Sequence, residues 1–289
     1  APQLAEDHRT GPSPHLGWRD PWPGRQPLVE HAVAEVLERG GLAPGLGVDV
    51  TITSEVPPGA SLGTSAAVVV ALLGALEALL AGEAPSAGEI AARAHLVETG
   101  RAGREAGVQD QWAAAVGGAG LLVVAPYPEV RHSVVDVPPG ALEEIRLRTV
   151  TVVFGAHDSS AVHHEVINAM TGCGGEDHDR ARTALRRLAA LAGSAADALR
   201  AGDVDGWSEV LVASTEAQEA LHRGLVGPAH RRAIGIGRSA GAVGWKVNGA
   251  GGDGGSLTLV ARDPRAADGL AASLRRAEGL SDLGRALRR

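Results

Sequence analysis

Cysteine and long apolar runs are scarce in this sequence of 289 residues, and each shortage excludes a class of protein. The one cysteine, Cys173, excludes an internal disulfide framework and a zinc site built from several thiolates. The longest charge-free apolar run covers residues 66–76, whereas a membrane-spanning helix needs roughly 20 residues, so the run predicts a buried helix. The residues before it lack the pattern of a secretory signal, and we therefore expect a cytoplasmic protein with no membrane partner.

Aromatic side chains and positive charge are also in short supply. Aromatic residues make up 2% of the chain, so a core has to be built from Ala, Val, Leu and Ile. Lys and Arg number 27 against 34 Asp and Glu, which gives a formal net charge of −7. A nucleic-acid-binding protein normally carries a basic surface, so this balance argues against nucleic acid as a partner. Glycine is abundant, with 40 residues, and two glycine-rich stretches stand out.

The first glycine-rich stretch, residues 57–66, lies between an alternating strand pattern at residues 48–53 and the apolar helix. Small residues leave backbone amides uncovered where a helix begins, and these amides and the positive end of the helix dipole attract an anion. The hydroxyls of Thr64 and Ser65 can reach a phosphate oxygen or Mg²⁺. The alternative is an ordinary strand-to-helix turn capped by Ser or Thr. A Walker loop is excluded, because no Gly-Lys-Ser or Gly-Lys-Thr closes the stretch.

The second glycine-rich stretch, residues 249–255, follows Lys246 and precedes a buried strand pattern at residues 257–260. We expect it to connect a helix to that strand. Its glycines are typical either of a tight turn that needs positive φ or of a backbone surface that packs against a ligand.

Two carboxylates, Glu98 and Asp110, lie between the glycine-rich stretches. Asp110 falls in the first turn of a helix that we predict to start near residue 109, where a carboxylate is stabilised by the helix dipole. Stabilisation of the helix end is therefore one explanation for Asp110. Phosphoryl transfer is the other, because that reaction needs a phosphate-binding loop, a metal ligand and a base near the acceptor hydroxyl.

In its motifs the sequence resembles the GHMP kinases, the family named for galactokinase, homoserine kinase, mevalonate kinase and phosphomevalonate kinase. The family's central motif, Pro-x-x-x-Gly-Leu-Gly-Ser-Ser-Ala, is similar to residues 57–66, where Ser61 replaces a Gly and Thr64 replaces a Ser. The C-terminal motif, Lys-x-x-Gly-Ala-Gly followed by more glycines, is similar to residues 246–255. The run Gly-Val-Gln-Asp-Gln-Trp at residues 107–112 is similar to the sugar-kinase branch, which includes the heptose-phosphate kinases and fucokinases.

The resemblance implies the two-domain α/β plus α+β fold of the GHMP kinases. Residues 1–140 would form a ribosomal-protein-like α/β domain and residues 141–289 a ferredoxin-like domain, with ATP between them. Turn residues at 138–144 mark the boundary, and a strand is predicted over residues 145–154. The family's Ala-Pro-x-Arg motif has no match at residues 1–4, so the family's first strand is expected to be missing.

The resemblance also implies roles for individual residues. Ser65 and Glu98 would hold Mg²⁺, and Asp110 would take the proton from the acceptor hydroxyl or orient it. The residues implied in ATP binding are Pro57, Gly59, Ser61, Leu62, Gly63, Thr64, Ser65, Ala66, Gly249, Ala250, Gly251 and Gly252. The residues implied in substrate contact are Gln109, Asp158, Ser159 and His163. For Ser159, a helix cap is the alternative.

We therefore expect an ATP- and Mg²⁺-dependent kinase that transfers the γ-phosphate to a sugar or sugar-phosphate hydroxyl. The anomeric hydroxyl of a heptose 7-phosphate is the first candidate. One alternative is a GHMP kinase for fucose, galactose or a mevalonate-type alcohol, and the other is a nucleotide-binding homologue that has lost catalysis. The oligomeric state stays open, with a homodimer as one option.

Overall fold

The computed structural model describes residues 6–9, 28–40, 47–56, 59–81, 85–155, 160–171, 176–252, 254–277 and 285–287. The chain divides into two compact units, each with most of its contacts inside itself. The first unit comprises residues 1–56, 63–118 and 122–131, and the second comprises residues 57–62, 119–121 and 132–289. The domain boundary at residue 140 stays a prediction.

Helices dominate the first unit. Its strands β1 (Glu6–Arg9) and β2 (Asp49–Ile52) pair antiparallel, with Glu6 opposite Ile52. The helices are α1 (Leu28–Gly40), α2 (Thr64–Ala81), α3 (Ala87–Leu96) and α4 (Gln109–Val116), with a π-helical turn at Val97–Arg101. A separate two-stranded sheet is formed by β3 (Gly120–Val124) and β4 (Val130–Val134).

The core of the first unit lies among α1, α2 and the end of α3. The apolar residues of α1 recur at helical spacing, so they form one face. Helix α2 is apolar nearly all round, but only one side of it is buried, since Ala67, Ala71, Ala75 and Leu79 are exposed. The buried cluster contains only aliphatic side chains, among them Ala32, Val36, Val69, Leu73 and Val97. The expectation of a core built without aromatic residues is confirmed for this unit.

The second unit is built on a four-stranded antiparallel sheet. Its strands are β5 (Thr149–Gly155), β6 (Ala242–Asn248), β7 (Gly255–Ala261) and β8 (Arg285–Leu287), in the spatial order β6-β7-β5-β8. Its helices are α5 (Pro139–Arg148), α6 (Ser160–Thr171), α7 (Glu176–Ala201), α8 (Val204–Leu221), α9 (Pro228–Ser239) and α10 (Pro264–Arg276). A buried cluster joins the sheet to α9 and α10, and Leu257, Leu259 and Leu270 lie fully inside it.

Three predictions about elements are corrected by this fold. Residues 145–148 are the last turn of α5 and not the start of a strand, because the Pro138-Pro139 pair places a proline at the first helical position and so begins a helix. The second glycine-rich stretch connects two antiparallel strands, β6 and β7, and not a helix and a strand. A strand, β1, precedes β2 although the sequence pattern predicts none.

None of the helices in the described part of the chain combines the length and the apolar character that a bilayer span requires.

Candidate functional site

The first glycine-rich stretch forms an open turn that leads directly into α2. Gly59, Ser61 and Gly63 all have positive φ, at 74°, 53° and 69°. Through the turn, every second residue therefore has a left-handed backbone conformation. The amide of Ala67 donates to the carbonyl of Gly63 at 2.9 Å, which makes Gly63 the residue that caps the helix. Glycine has no side chain that could accept a hydrogen bond from the first helical amides.

The amides that open α2 are left available for an anion. Within the described ranges, no side chain accepts a hydrogen bond from the amide of Thr64, Ser65 or Ala66. The alternative of a turn capped by Ser or Thr is therefore not what the structure contains. Instead, the hydroxyl of Ser65 points to Glu98, with Oγ 3.5 Å from Glu98 Oε2. Free amides at a helix N-terminus are a ready anion-binding arrangement.

A polar cluster of four side chains surrounds Ser65, and all four belong to the first unit. Besides the contact to Glu98, Ser65 Oγ accepts a hydrogen bond from Arg104 Nη1 at 2.8 Å. Gln111 Nε2 donates to the other carboxylate oxygen, Glu98 Oε1, at 3.1 Å. Glu98 and Gln111 are buried, at 5% and 1% exposed. Ser65 and Glu98 are predicted site residues, whereas the contacts of Arg104 and Gln111 become clear only in the structure.

Burial determines the proton affinity of the Glu98 carboxylate. Removal from water raises the pKa of Glu98 above its usual value, and the nearby carboxylate of Asp110 raises it further. Hydrogen bonding by Gln111 and the positive charge of Arg104 act in the opposite direction. The result is a buried carboxylate whose charge depends on its few polar neighbours.

The backbone that carries Glu98 is held by an unusual turn. Glu98 lies in the π-helical turn that follows α3, where the amide of Ala102 donates to the carbonyl of Val97 at 2.9 Å. The amide of Arg104 donates to the carbonyl of Glu98, also at 2.9 Å. Single π-helical turns are rare and frequently occur at functional sites.

A buried ion-pair network ties this turn to α1. Glu35 of α1 is 4% exposed and pairs with Arg93 of α3 at 3.1 Å and with Arg101, the last residue of the turn, at 2.9 Å. Arg93 pairs in addition with Glu77 of α2 at 2.5 Å. Three helices are thereby joined around the turn that presents Glu98.

Asp110 lies against Gly63 of the first glycine-rich stretch, in agreement with the prediction that the two are close together. It occupies the first turn of α4, and its side chain is exposed. A Cβ atom placed on Gly63 would lie 3.4 Å from Asp110 Cβ and 3.6 Å from Asp110 Oδ2. The first unit therefore brings the carboxylate of Asp110 beside the free amides of α2.

The residues around Ser65 fit a magnesium ion. Mg²⁺ prefers oxygen ligands and is usually held by one or two carboxylates together with phosphate oxygens and water. Ser65 and Glu98 supply a hydroxyl and a carboxylate side by side, and Gln111 Oε1 is a buried oxygen without a hydrogen-bond partner. Among the described residues no group of three or more His, Cys, Asp or Glu lies close enough together to hold a metal ion.

The second glycine-rich stretch packs tightly inside the second unit. A Cβ on Gly251 would lie 1.9 Å from the carbonyl oxygen of Leu225, so only glycine fits there. A Cβ on Gly249 would lie 3.0 Å from the Cβ of Ser61, and both residues belong to this unit. The two glycine-rich stretches therefore meet at Ser61 and Gly249, and the second is a packing surface as well as a turn.

Lys246 stabilises the second glycine-rich stretch through hydrogen bonds to Gln218 and to the backbone. Lys246 Nζ donates to Gln218 Oε1 at 2.7 Å and also to the carbonyl of Val247. Gln218 Nε2 in turn donates to the carbonyl of Gly249 at 2.7 Å. Burial lowers the pKa of Lys246 from 10.5 to about 8. Sequence reasoning found Lys246 through its motif, whereas no sequence signal pointed to Gln218.

The remaining sequence candidates are only partly described. Gln109 is exposed at the start of α4. His163 lies within α6, but its side chain is outside the described part, and Pro57, Asp158 and Ser159 lie outside the described residues altogether.

The comparisons with known sequences each cover about a third of the chain or less. Residues 27–118 match the family model described as the GHMP kinases N terminal domain. Over 90 residues the chain is 46% identical to the mevalonate kinase of Pyrococcus abyssi, a match that covers 31% of this chain and 26% of that relative. It is 47% identical over 74 residues to the mevalonate kinase of Thermococcus onnurineus, which covers 26% and 22% of the two chains. The match thus spans about a quarter of the length of these curated relatives.

Solved structures resemble nearly the whole chain. A D-glycero-D-manno-heptose 1-phosphate kinase from Bacteroides thetaiotaomicron is similar with a TM-score of 0.67 at 21% identity, over 93% of this chain and 72% of that one. The mevalonate kinase of L. major in complex with R-mevalonate has a TM-score of 0.69 at 19% identity, over 92% and 79%. At such identities the likeness concerns the fold. Residues 27–118 therefore match the N-terminal domain of the GHMP kinases, and the chain as a whole has a fold similar to that of the solved kinases.

Proposed function

We propose that this protein is an ATP-dependent kinase that transfers the γ-phosphate to a hydroxyl group of a small molecule. One observation carries the proposal: the first unit places the free amides of α2, the Ser65–Glu98 pair and the Asp110 carboxylate next to one another. These are the phosphate-binding, metal-binding and proton-accepting parts that phosphoryl transfer needs. GHMP kinases are ATP-dependent phosphotransferases, and the N-terminal family match agrees with this chemistry.

In the proposed reaction the amides of Thr64, Ser65 and Ala66 bind the terminal phosphates of ATP. Ser65 and Glu98 would hold Mg²⁺, which when bound neutralises charge on the phosphates. Asp110 accepts the proton of the acceptor hydroxyl as the oxygen of that hydroxyl forms a bond to the γ-phosphorus. The bond from the γ-phosphorus to the bridging oxygen breaks at the same time, and ADP leaves.

A sugar or sugar phosphate is the acceptor we propose first, with the anomeric hydroxyl of a heptose 7-phosphate as the specific candidate. Two features support this choice: the Gly-Val-Gln-Asp-Gln-Trp run around Asp110 and the fold likeness to a heptose 1-phosphate kinase. The cytoplasm, which supplies ATP and phosphorylated sugars, is the location that goes with this proposal.

A mevalonate-type alcohol is the second candidate. The 46% identity to the mevalonate kinase of Pyrococcus abyssi favours it, although that identity is confined to 90 residues. Both acceptors present a hydroxyl to a carboxylate, so the site chemistry around Asp110 would be the same for either.

The test is an acceptor screen with coupled detection of ADP, run on the purified protein with ATP and Mg²⁺. The panel contains heptose 7-phosphate, fucose, galactose and mevalonate. For the acceptor that turns over, Asp110→Asn should reduce kcat by about 100-fold or more, because general-base catalysis contributes on that order, while ATP affinity changes little. Asp177→Asn, at an exposed carboxylate of α7, is the matched control and should leave kcat unchanged.

Two results would contradict the proposal. Near-normal kcat in Asp110→Asn would remove that residue from proton transfer. Binding of ATP without ADP release for any acceptor would favour instead a nucleotide-binding homologue that has lost catalysis.

A further inference from the structure

Arg104 is held close to the candidate site by two hydrogen bonds. Its backbone amide donates to the carbonyl of Glu98, and its Nη1 donates to Ser65 Oγ at 2.8 Å. The residue lies in the irregular segment between the π-helical turn and α4, and its side chain is half-buried. The guanidinium is thus fixed beside the hydroxyl that begins α2.

Among the described residues, this guanidinium has no carboxylate in direct contact, unlike several other arginines of the protein. Arg93, Arg101 and Arg148 each contact a carboxylate oxygen at 2.9 Å or closer. Arg104 has no carboxylate oxygen within 4.0 Å in the part of the chain that the structure describes, and its Nε is buried without a hydrogen-bond partner. A buried donor on a cation is costly to leave unsatisfied, so the arrangement calls for an anion that brings several acceptor oxygens.

The hydrogen-bonding capacity of Ser65 leaves room for this anion and for a metal ion together. A serine hydroxyl has one proton and two lone pairs. In the structure the proton goes to Glu98 and one lone pair accepts from Arg104, so the second lone pair is free for Mg²⁺. Arg104 therefore does not have to leave its place when a metal is held by Ser65 and Glu98.

We infer that Arg104 is a phosphate-binding residue of the transfer site, and that its anion is the terminal phosphate of a nucleoside triphosphate. The inference rests on the proposed function. The terminal phosphate is favoured over the inner ones because Arg104 Nη1 donates to Ser65 Oγ in the first turn of α2, and the carboxylate of Asp110, which receives the acceptor's proton, lies against Gly63 at the same helix end. The phosphate next to that carboxylate is the one transferred.

Nucleotide binding tests this assignment without relying on activity. Calorimetry compares the non-hydrolysable ATP analogue AMP-PNP with ADP, each at saturating Mg²⁺, for the wild-type protein and Arg104→Gln. Loss of a charged hydrogen-bonding partner should weaken AMP-PNP binding about 10- to 100-fold and ADP binding less than about 2-fold. Arg104→Lys, which keeps the charge but not the planar donor pair, should fall between the two proteins for AMP-PNP.

Arg146→Gln is the control for the loss of one positive charge, because Arg146 is an exposed arginine of α5 that pairs with Glu143. It should bind both nucleotides like the wild-type protein, and thermal melting checks that every variant is folded. Unchanged AMP-PNP binding in Arg104→Gln, an equal loss for both nucleotides, or a loss confined to a sugar phosphate would each overturn the assignment. Absence of nucleotide binding by the wild-type protein would instead overturn the proposed function, and the inference with it.

Discussion

At the scale of single residues, the conformation of the turn before α2 depends on backbone angles that most side chains avoid. Ser61 has a φ of 53°, at the position where the related motif has a glycine. Gly63 has a φ of 69° and caps the helix without covering its amides. The turn is therefore strained at one residue and relies on glycine at the other.

Gly63→Ala should destabilise the protein by about 1–2 kcal/mol, because a side chain at positive φ is unfavourable by that amount. The added methyl group would lie 3.4 Å from Asp110, an ordinary contact, so the loss comes from the backbone and not from a clash. Chemical denaturation measures the change in the free energy of unfolding.

Gly235→Ala is the matched control for this substitution. Gly235 is an exposed residue inside α9, with nothing within 4 Å of an added Cβ, so alanine there should stabilise the protein by about 1 kcal/mol. Effects of the same sign at both glycines would contradict the argument from φ.

At this scale, a site residue was predictable where it belongs to a recognisable sequence motif. The expectation that Asp110 lies near the first glycine-rich stretch followed from the motif run, and the structure agrees in geometry. Arg104 was not predictable, because its contact depends on how the irregular segment at residues 102–108 folds back onto Ser65. A single sequence does not indicate that this irregular segment packs against Ser65. Gln111 lies in the motif run, but its hydrogen bond to Glu98 became clear only from the structure.

At the scale of elements, the π-helical turn is positioned by charge buried between helices. Glu35 accepts from two arginines, one in α3 and one at the end of the turn, and it is almost fully removed from water. Taking one member out of such a network leaves the others buried without full compensation. The position of Glu98 therefore depends on a residue of α1 that is distant in sequence.

Glu35→Ala should lower the free energy of unfolding by about 3 kcal/mol, since breaking a buried ion pair has an effect of that order. Glu38→Ala removes a carboxylate that also pairs with Arg101 but is 51% exposed, and its effect should be much smaller because water screens an exposed ion pair. Urea unfolding of the two variants compares them directly. Similar losses of unfolding free energy in the two variants would contradict the claim that the burial of Glu35 makes its ion pairs stronger.

Helix bounds were predictable where periodicity and capping agree. The predicted helix start near residue 109 agrees with the start of α4, and α10 is capped by Asp263, which accepts from the amide of Ala266 at 2.8 Å. The strand β6 and the helix α9 were missed because their glycines interrupt both periodicities. In α5, apolar residues at alternate positions 145 and 147 imitate a strand although the segment is helical.

At the scale of the whole molecule, almost all of the positive charge comes from one residue type. Arginine supplies nearly all of the positive charge, and Lys246 is the only lysine in the sequence. Arginine stays charged across the accessible pH range, whereas a buried lysine does not. The pH dependence of stability above neutrality should therefore report on Lys246.

The stability of the wild-type protein should rise relative to Lys246→Met as the pH increases from about 8 to 10.5. The pKa of Lys246 is about 8 in the folded chain against 10.5 in the unfolded one, so within this window the unfolded chain binds more protons. The rise should total up to about 3 kcal/mol, which is 1.36 kcal/mol for each pH unit. Below pH 8 both states hold the proton, and the difference should become constant.

Guanidinium-induced unfolding at a series of pH values measures this difference. A flat difference between wild type and Lys246→Met across the window would show that the ammonium group is solvated in the folded protein. A difference in unfolding free energy that falls with rising pH would mean that folding raises the pKa of Lys246 and does not lower it.

Because Lys246 is the only lysine in the sequence, proteolysis at this residue can report local unfolding of the β6–β7 hairpin. A lysine-specific protease has one cleavage site in this sequence, after Lys246 in strand β6. The peptide bond there is paired with β7, so cutting requires that the strand first detach from the sheet. The rate of cleavage after Lys246 therefore measures the local unfolding of this hairpin.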